Sequence, residues 1–127
     1  LNTQLSTFPV MWVANAGEDT VSKIDTTNNK ELARYRTAFG PSCQPGYSNH
    51  LGNAYSVSAP SRTAVASDGN VYVANRHFDQ KPPEVIKILA EGGIDRNNNG
   101  VIDTSVDANN NGTIESGEIL SIGDANN

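Results

Sequence analysis

Short stretches of alternating apolar and polar residues, separated by clusters of Gly, Asn, Asp and Pro, run through residues 10–90 of the chain. Alternation with a period of two and enrichment in β-branched and aromatic residues favour β-strands, and the polar clusters favour turns. The predicted strands are MWVAN at 11–15, TVSKIDT at 20–26, ELARYRTA at 31–38, a strand at 62–67, VYVAN at 71–75 and VIKI at 85–88. The pattern predicts an all-β domain built from antiparallel hairpins.

The third of these segments has a second interpretation. KELARYRTA also fits a helix, since Leu32, Tyr35 and Arg36 would share one helical face. We prefer a strand because the neighbouring segments are all hairpins. Asp68-Gly69, between two apolar runs, is a strong signal for a hairpin turn.

The chain contains an internal repeat. WVAN at 12–15 matches YVAN at 72–75 with an offset of 60 residues, and VSKI at 21–24 matches VIKI at 85–88 with an offset of 64. The second copy therefore has four more residues in its turn, which DQKPP supplies. A repeat of this kind predicts two similar β-sheet units.

Composition limits the size of the core. Val, Ile, Leu and Phe make up 27 of the 127 residues, which is just above the roughly 20 % below which disorder is the better expectation. We expect one folded domain with a small core. Residues 40–59 are rich in Gly, Pro, Ser and Asn and are predicted to be a long loop, which either packs in an ordered form or binds something.

The negative charge is concentrated in one segment, residues 95–118, which carries −4 of the net charge of −5. Its five carboxylates belong to Asp95, Asp103, Asp107, Glu115 and Glu118, against Arg96 alone. No Lys/Arg cluster is present, which argues against a nucleic-acid partner or an anionic membrane surface. No apolar run reaches the ~18–20 residues of a membrane helix, and no signal peptide is visible at the start of the sequence.

Residues 107–118 have the spacing of a twelve-residue calcium loop. Such a loop places side-chain oxygens at positions 1, 3 and 5, glycine at 6, a backbone carbonyl at 7, an acid at 9 and glutamate at 12. The predicted ligands are Asp107, Asn109, Asn111, the carbonyl of Thr113, Glu115 and Glu118. Ile114, at position 8, is predicted to point inward and to pin the loop to the core.

A similar loop lies twelve residues earlier. Its predicted ligands are Asp95, Asn97, Asn99, the carbonyl of Val101 and Asp103. Position 12 is Val106, which has no side-chain oxygen, and we expect Asp107 to close this site while it opens the next. The arrangement resembles tandem calcium repeats of the thrombospondin type 3 kind. A period of twelve leaves no room for a helix between the loops, which excludes a paired helix–loop–helix EF-hand.

The insert at 95–118 is therefore predicted to bind one or two calcium ions. Asn replaces Asp at four ligand positions, which lowers the charge of the site, so we expect weak binding in the ~10⁻⁴–10⁻³ M range of extracellular modules. The alternatives are a flexible Asn/Gly/Asp linker and a magnesium site, although magnesium tolerates such a flexible cage less well. A site this weak needs calcium at millimolar level to fill, which indicates an extracellular or periplasmic location.

The repeat itself resembles a known family. PSRTAVASDGNVYVAN at 60–75, followed by VIKI, and WVANAGEDTVSKID at 12–25 are similar to the blade repeat of YVTN/NHL-type β-propellers, as found in streptogramin-lyase-like bacterial proteins. The resemblance covers residues 8–39 and 60–90. It implies blades of four antiparallel strands, in which DGNVYVAN spans the first turn and the second strand.

The length of the chain implies an incomplete ring. At about 40 residues per blade, the chain offers two to three four-stranded antiparallel blades, whereas propellers have about 4–8. We expect an incomplete β-propeller that belongs to a longer protein or is completed by neighbouring subunits, and the final GDANN, which has no closing strand, favours a truncated chain. The predicted division is blades at 1–94 including the loop at 40–59, the calcium-binding insert at 95–118, and the start of a following strand at 119–127.

The preferred function is a non-enzymatic binding or structural role for an extracytoplasmic propeller segment, with a protein or carbohydrate surface as partner. One alternative is part of a streptogramin-lyase-like enzyme whose catalytic residues lie outside this chain. Another is a subunit of an extracellular filament or multi-protein assembly. His50 and His77 lack the spacing of a metal or general-base motif, and Cys43, the only cysteine, is either a free thiol or pairs outside the chain.

The aromatic residues also allow two interpretations. Trp12, Tyr35 and Tyr72 could form a platform on which a sugar stacks, but a role as core or sheet-face aromatics is preferred.

Overall fold

The computed structural model describes residues 9–37, 59–76, 83–95 and 97–120. Within these ranges the chain is all-β, without a helix, so no helix there is long or apolar enough to cross a membrane. The described residues form six strands, namely β1 Val10–Asn15, β2 Thr20–Asp25, β3 Lys30–Arg36, β4 Pro60–Val65, β5 Val71–Asn75 and β6 Glu84–Ile88. The prediction of an all-β domain is confirmed in this part of the chain.

The first three strands form sheet A, with the order β1-β2-β3 and antiparallel pairing throughout. The β2–β3 turn is stabilised by Asp25, whose carboxylate accepts the backbone N–H of Thr27 at 2.7 Å, and Asn29 takes the left-handed conformation that this turn requires. The register shifts between Lys23 and Ile24, which marks a β-bulge in the ladder. The segment that also fitted a helix is a strand, because it extends the hairpin β1–β2.

Sheet B has the order β4-β5-β6 and is also antiparallel. Its first turn contains the predicted Asp68-Gly69 pair. The Asp68 carboxylate accepts the backbone N–H of Asn70 at 3.0 Å, and Gly69 has a positive φ of 82°. The turn chemistry read from the sequence is thus present in the structure.

The position of β4 differs from the prediction of a strand at 62–67. The strand begins at Pro60, which pairs with Asn75, and it ends at Val65. Ala66 belongs to the turn instead, since its carbonyl accepts the N–H of Gly69 at 2.9 Å and its N–H donates to the Asn70 carbonyl at 2.9 Å. Ala66, which β-propensity alone assigns to the strand, thus belongs to the tight turn.

The internal repeat is a repeat of structure as well as of sequence. Trp12 lies opposite Lys23 in sheet A, and Tyr72 lies opposite Lys87 in sheet B. In both pairs the Lys Nζ lies over the aromatic ring, at 5.7 Å and 5.9 Å from its centroid, within the range of a cation–π contact. The two hairpins β1–β2 and β5–β6 are therefore equivalent units.

The last residue of each repeated WVAN or YVAN segment is an asparagine with a structural role. Asn15 Nδ2 donates to Ser22 Oγ at 2.7 Å within sheet A. Asn75 Nδ2 donates to the Thr37 carbonyl at 2.7 Å and to Glu84 Oε1 at 3.1 Å. Because Thr37 directly follows β3, this buried amide joins the end of sheet A to sheet B.

The two sheets pack against each other through non-equivalent faces, an arrangement that we call head-to-tail packing. The core consists of Val21 from sheet A and Val71 and Val73 from sheet B, with Trp12 and Tyr35 packed against it. Alternation along a strand places Val71 and Val73 on the face of β5 opposite to Tyr72. The face of sheet A that carries Trp12 thus packs on the face of sheet B that carries Val71 and Val73. Tyr72, the equivalent of Trp12, lies on the opposite face of sheet B.

This packing separates the three aromatic residues of the predicted sugar platform. Trp12 and Tyr35 stack on each other, with ring centroids 5.9 Å apart and an interplanar angle of 26°. Tyr72 lies on the outward face of the other sheet and is 39 % exposed. A single three-ring platform is therefore absent, and the interpretation of Trp12 and Tyr35 as core aromatics is confirmed.

The opposite face of sheet A, which carries Val13, Ser22 and Ile24, lies beside the acidic insert. These side chains and residues Gly112 and Thr113 of the insert line an open groove of about 300 Å³. Sheet A thus lies between sheet B on one face and part of the insert on the other.

Candidate metal centre

Residues 107–118, which we call loop 2, fold around the carboxylate of Asp107. Its Oδ1 accepts the N–H of Asn111 at 3.1 Å and its Oδ2 accepts the N–H of Gly112 at 2.7 Å. Asn109 Oδ1 also accepts the N–H of Asn111, at 2.9 Å, and Asn111 Oδ1 accepts the N–H of Thr113, at 2.9 Å. The side chains at positions 1, 3 and 5 therefore point towards the inside of one turn.

Residues 95–106, which we call loop 1, repeat this network. Asp95 accepts the N–H of Asn99 at 3.1 Å and that of Gly100 at 2.7 Å. Asn97 Oδ1 accepts the N–H of Asn99 at 3.2 Å, and Asn99 Oδ1 accepts the N–H of Val101 at 2.8 Å. The twelve-residue sequence period is thus also a period of hydrogen bonding between side chains and backbone amides.

The turn in each loop depends on two residues with positive φ. Asn98 and Asn110, at position 4, have φ of 56° and 58°, and Gly100 and Gly112, at position 6, have φ of 86° and 92°. Asparagine and glycine are the residues that adopt this region at least cost. This explains why asparagine at position 4 and glycine at position 6 recur in both loops.

Gly112→Ala is expected to destabilise the protein by about 1–2 kcal/mol, because a Cβ is disfavoured at this φ. No neighbouring atom lies within 4 Å of the position of that Cβ, so the cost is conformational rather than steric. Gly117→Ala is the matched control, since Gly117 has equally open surroundings and an ordinary φ. Urea unfolding of both variants checks the prediction, and equal effects of the two substitutions would contradict it.

The acidic residues close loop 2 more completely than loop 1. Glu118 Oε1 accepts the N–H of Ala108 at 3.0 Å, and its Oε2 accepts the N–H of Glu115 at 2.9 Å. In loop 1 the equivalent position 12 is Val106, which is 58 % exposed. Loop 2 therefore has a carboxylate on its last residue that binds the amides of its second and ninth residues, whereas the last residue of loop 1 is apolar.

The acid at position 9 interacts with the asparagine amides in each loop. Asn109 Nδ2 donates to Glu115 Oε2 at 3.2 Å, and Asn111 Nδ2 donates to Glu115 Oε1. The hydrogen bond from Asn111 is the main reason why the pKa of Glu115 lies below its usual value. In loop 1, Asn97 and Asn99 donate in the same way to Asp103 Oδ2, at 2.9 Å and 3.0 Å.

No three side chains of His, Cys, Asp or Glu gather into a metal-binding group within the described ranges. The predicted sites instead combine carboxylates with asparagine oxygens and a backbone carbonyl, which are ligands typical of calcium. A cation would compete with the amide groups of Asn109 and Asn111 for Glu115. The residues of the two loops match calcium ligands in type and in order along the sequence.

Loop 2 is attached to the outer strand of sheet A. Ile114 is fully buried, and its N–H donates to Glu31 Oε2 at 2.8 Å. The N–H of Glu31 in turn donates to the Gly112 carbonyl at 3.2 Å. The expectation that the Ile114 side chain points inward is confirmed by its burial. The hydrogen-bond partner of its backbone N–H is a carboxylate on β3.

Glu31 is held by an arginine on the same strand. Arg34 donates from Nε to Glu31 Oε1 and from Nη2 to Glu31 Oε2, both at 2.8 Å. Its Nη1 donates to Glu18 Oε2 at 3.0 Å. We call the two paired residues the Glu31–Arg34 clamp, whose bidentate geometry is the strong form of this ion pair.

Burial raises the pKa of Glu31, but hydrogen bonds from Arg34, Ser22 and the amide of Ile114 outweigh it, so the pKa lies below the usual 4.5. A carboxyl with a lowered pKa contributes stability that is present above the unfolded pKa and lost as the pH falls through the folded pKa. We therefore expect the clamp to stabilise the protein at neutral pH and to lose this effect below about pH 4.5.

The measurement is the urea midpoint of the wild-type chain and of Glu31→Gln at pH 7, 5 and 3. The difference in urea midpoint between the two proteins should be largest at pH 7. It should decrease as the pH falls, because both proteins then carry a neutral side chain at position 31. A difference in urea midpoint that is constant over this pH range would contradict a charged Glu31 in the folded protein.

Loop 1 is packed more loosely. Ile102, its residue at position 8, is 45 % exposed and lies beside Gly93, where an added Cβ would come within 2.9 Å of the Ile102 side chain. Ser105, near the end of loop 1, accepts the N–H of Leu120 with its Oγ at 2.9 Å, which joins loop 1 to the residues after loop 2. The two loops therefore share their internal geometry but differ in how they are supported.

Sequence reasoning did not identify Glu31 and Arg34 as part of the site. They precede the insert by more than sixty residues, and a charged pair on an amphipathic strand normally indicates a solvated face. Cys43, His50 and His77 lie outside the described residues. Comparison of the chain with protein families, curated proteins and solved structures gave no significant match.

Proposed function

We propose that this chain is a calcium-binding, non-enzymatic β-sheet repeat protein, in which one or two calcium ions order the insert at 95–118. The observation that carries the proposal is the hydrogen-bond network that positions 1, 3 and 5 form with the backbone amides of positions 5, 6 and 7 in loop 2, which recurs in loop 1. Asp107 and Asp95 each accept the amides of positions 5 and 6. This arrangement holds the side chains at positions 1, 3 and 5 within one turn, which supports a shared cation site.

The proposed ligands share two properties, since all offer oxygen and all lie within one twelve-residue turn. In loop 2 they are Asp107, Asn109, Asn111, the Thr113 carbonyl, Glu115 and Glu118, and in loop 1 they are Asp95, Asn97, Asn99, the Val101 carbonyl and Asp103. Calcium accepts 6–8 oxygens in flexible geometry, whereas magnesium needs a near-ideal octahedron and retains several waters. Calcium is therefore the proposed ion.

Loop 2 is proposed as the stronger site. It has Glu118 at position 12, and its fully buried Ile114 anchors it to sheet A. The three carboxylates among its proposed ligands repel one another when no cation is present, and a divalent ion removes that repulsion. Binding to the folded form alone stabilises that form by mass action.

Calorimetric titration of the 127-residue chain with calcium tests this proposal. We expect saturable binding of one or two ions, with a dissociation constant in the ~10⁻⁴–10⁻³ M range. Limited proteolysis with and without EGTA supplies a second readout, in which chelation should increase cleavage within 95–118. Absence of a calcium-dependent heat, together with unchanged cleavage, would overturn the proposal.

The two sheets are proposed to be parts of consecutive blades of a β-propeller. In this reading β1–β3 are the second to fourth strands of one blade, and β4–β6 are the first to third strands of the next. Support comes from the head-to-tail packing, because each blade of a propeller covers the next in the same sense. The outward face of sheet B carries Tyr72, Lys87 and Val85, and Val85 is 67 % exposed, so a further blade could pack there.

A role in binding or structure outside the cytoplasm follows from the proposed ion. Weak calcium sites fill where free calcium is near millimolar, as in extracellular or periplasmic fluid. The proposed partner is a protein or carbohydrate surface. Secretion of the protein by its host, examined by fractionation of cells, is the expected result, and a purely cytoplasmic location would contradict it.

A further inference from the structure

The backbone of loop 2 next to its proposed carbonyl ligand is held from two sides by β3. The Gly112 carbonyl accepts the N–H of Glu31 at 3.2 Å, and the N–H of Ile114 donates to Glu31 Oε2 at 2.8 Å. Thr113 lies between these two contacts and offers the backbone carbonyl proposed as a ligand. One residue of the sheet thus fixes the peptide units that flank a ligand of the loop.

We infer that the Glu31–Arg34 clamp couples loop 2 to sheet A, so that a cation in loop 2 stabilises the sheet and an intact clamp tightens the cation site. This inference rests on the proposed binding of calcium. Coupling of this kind is reciprocal, because each event changes the free energy of the other by the same amount.

The clamp is suited to this role because it is sheltered and connected on both sides. The side chains of Glu31 and Arg34 are only 6 % and 14 % exposed. Arg34 also forms an ion pair with Glu18, in the turn between β1 and β2, at 3.0 Å. Displacement of loop 2 would leave a nearly buried Glu31 oxygen without its amide donor, which is costly, and would disturb the arginine that links β3 to this turn.

Loop 1 has no such connection to sheet A in the described part of the chain. Its side-chain hydrogen bonds join residues of the same loop, apart from Ser105 Oγ, which accepts the N–H of Leu120 after loop 2. Its Ile102 is partly exposed, unlike the buried Ile114. A cation in loop 1 should therefore order that loop with little effect on sheet A. This difference between two loops of the same internal geometry makes each a control for the other.

The fluorescence of Trp12 provides an intrinsic probe of sheet A. Trp12 is the only tryptophan, it lies on β1, and it stacks on Tyr35 of β3. Urea unfolding followed by Trp12 fluorescence therefore reports on the sheet rather than on the loops. Calorimetric titration of the same samples with calcium reports on binding separately.

The experiment compares the 127-residue wild-type chain with Asp107→Asn in loop 2, Asp95→Asn in loop 1 and Glu31→Gln in the clamp. Calcium at about ten times the wild-type dissociation constant should lower the wild-type unfolding constant roughly tenfold. Asp95→Asn should retain this effect, and Asp107→Asn should lose it. Glu31→Gln should bind calcium several-fold more weakly, and at the same calcium concentration a fivefold loss of affinity reduces the effect to roughly threefold.

The outcomes separate the coupling from the binding. No calcium-dependent heat in the wild type would remove the proposed function and the coupling with it. Normal binding with an unchanged Trp12 unfolding midpoint would overturn the coupling alone, as would a Glu31→Gln protein with wild-type affinity and wild-type shift. If Glu31→Gln does not fold, Glu31→Asp, which keeps the charge but shortens the side chain, is measured in its place with the same expected direction.

Discussion

Replacing Ile114 by alanine is expected to lower the free energy of unfolding by about 2–5 kcal/mol. Ile114 is the largest fully buried side chain of the described residues, and its truncation leaves a buried cavity. Native domains of this size are stable by only about 5–15 kcal/mol. The loss should therefore shift the urea midpoint of Trp12 fluorescence by an easily measured amount.

Ile102→Ala is the matched control for this prediction. Ile102 occupies the same position 8 of loop 1, and the substitution removes the same atoms, but the side chain is 45 % exposed. We expect a loss below about 1 kcal/mol, since partly exposed side chains leave little cavity. Equal losses for the two variants would show that Ile114 is not a core residue.

Glu118→Gln is expected to weaken calcium binding at loop 2 by at least about tenfold, which corresponds to about 1.4 kcal/mol. A glutamate at position 12 binds calcium through both oxygens, whereas glutamine offers one neutral oxygen. The side chain also links the two ends of the loop through the amides of Ala108 and Glu115. Calorimetric titration measures the change directly.

Two further variants show whether this effect arises from ligation. Glu91→Gln removes the same charge from an exposed residue outside both loops and should leave the affinity nearly unchanged. Val106→Glu places a carboxylate at position 12 of loop 1 and should strengthen that site. Similar losses for Glu118→Gln and Glu91→Gln would indicate a general effect of charge and would contradict a specific ligand role.

The strands were predictable because their signals are local. Alternation around Val21 and Val73 and the turn chemistry of Asp68-Gly69 depend on neighbouring residues only. The limits of β4 were predicted less well, because the hydrogen bonds of the Asp68-Gly69 turn also use Ala66. Strand ends depend on which backbone groups the adjacent turn takes.

The glycine turn within each loop was also predictable, because position 6 of Asp-x-Asn-x-Asn-Gly is glycine, and Gly100 and Gly112 have positive φ. The ligand role of these side chains stays a prediction. The support of loop 2 was not predictable. It depends on Glu31, eighty-three residues before Ile114 along the chain, and on a bidentate arginine that only folding places beside it. The sequence indicates which residues could bind a cation, whereas the fold decides which loop is attached to sheet A.

The most direct test of calcium binding is the amide NMR spectrum of the 127-residue chain during a calcium titration. The N–H groups of Gly100 and Gly112 donate to Asp95 and Asp107, the first proposed ligand of each loop. We predict large, saturable shifts of the Gly112 amide, shifts of the Gly100 amide at equal or higher calcium, and small shifts of sheet amides distant from β3. Gly100 and Gly112 amides that stay unshifted up to about 10 mM calcium, well above the expected dissociation constants, would contradict the account.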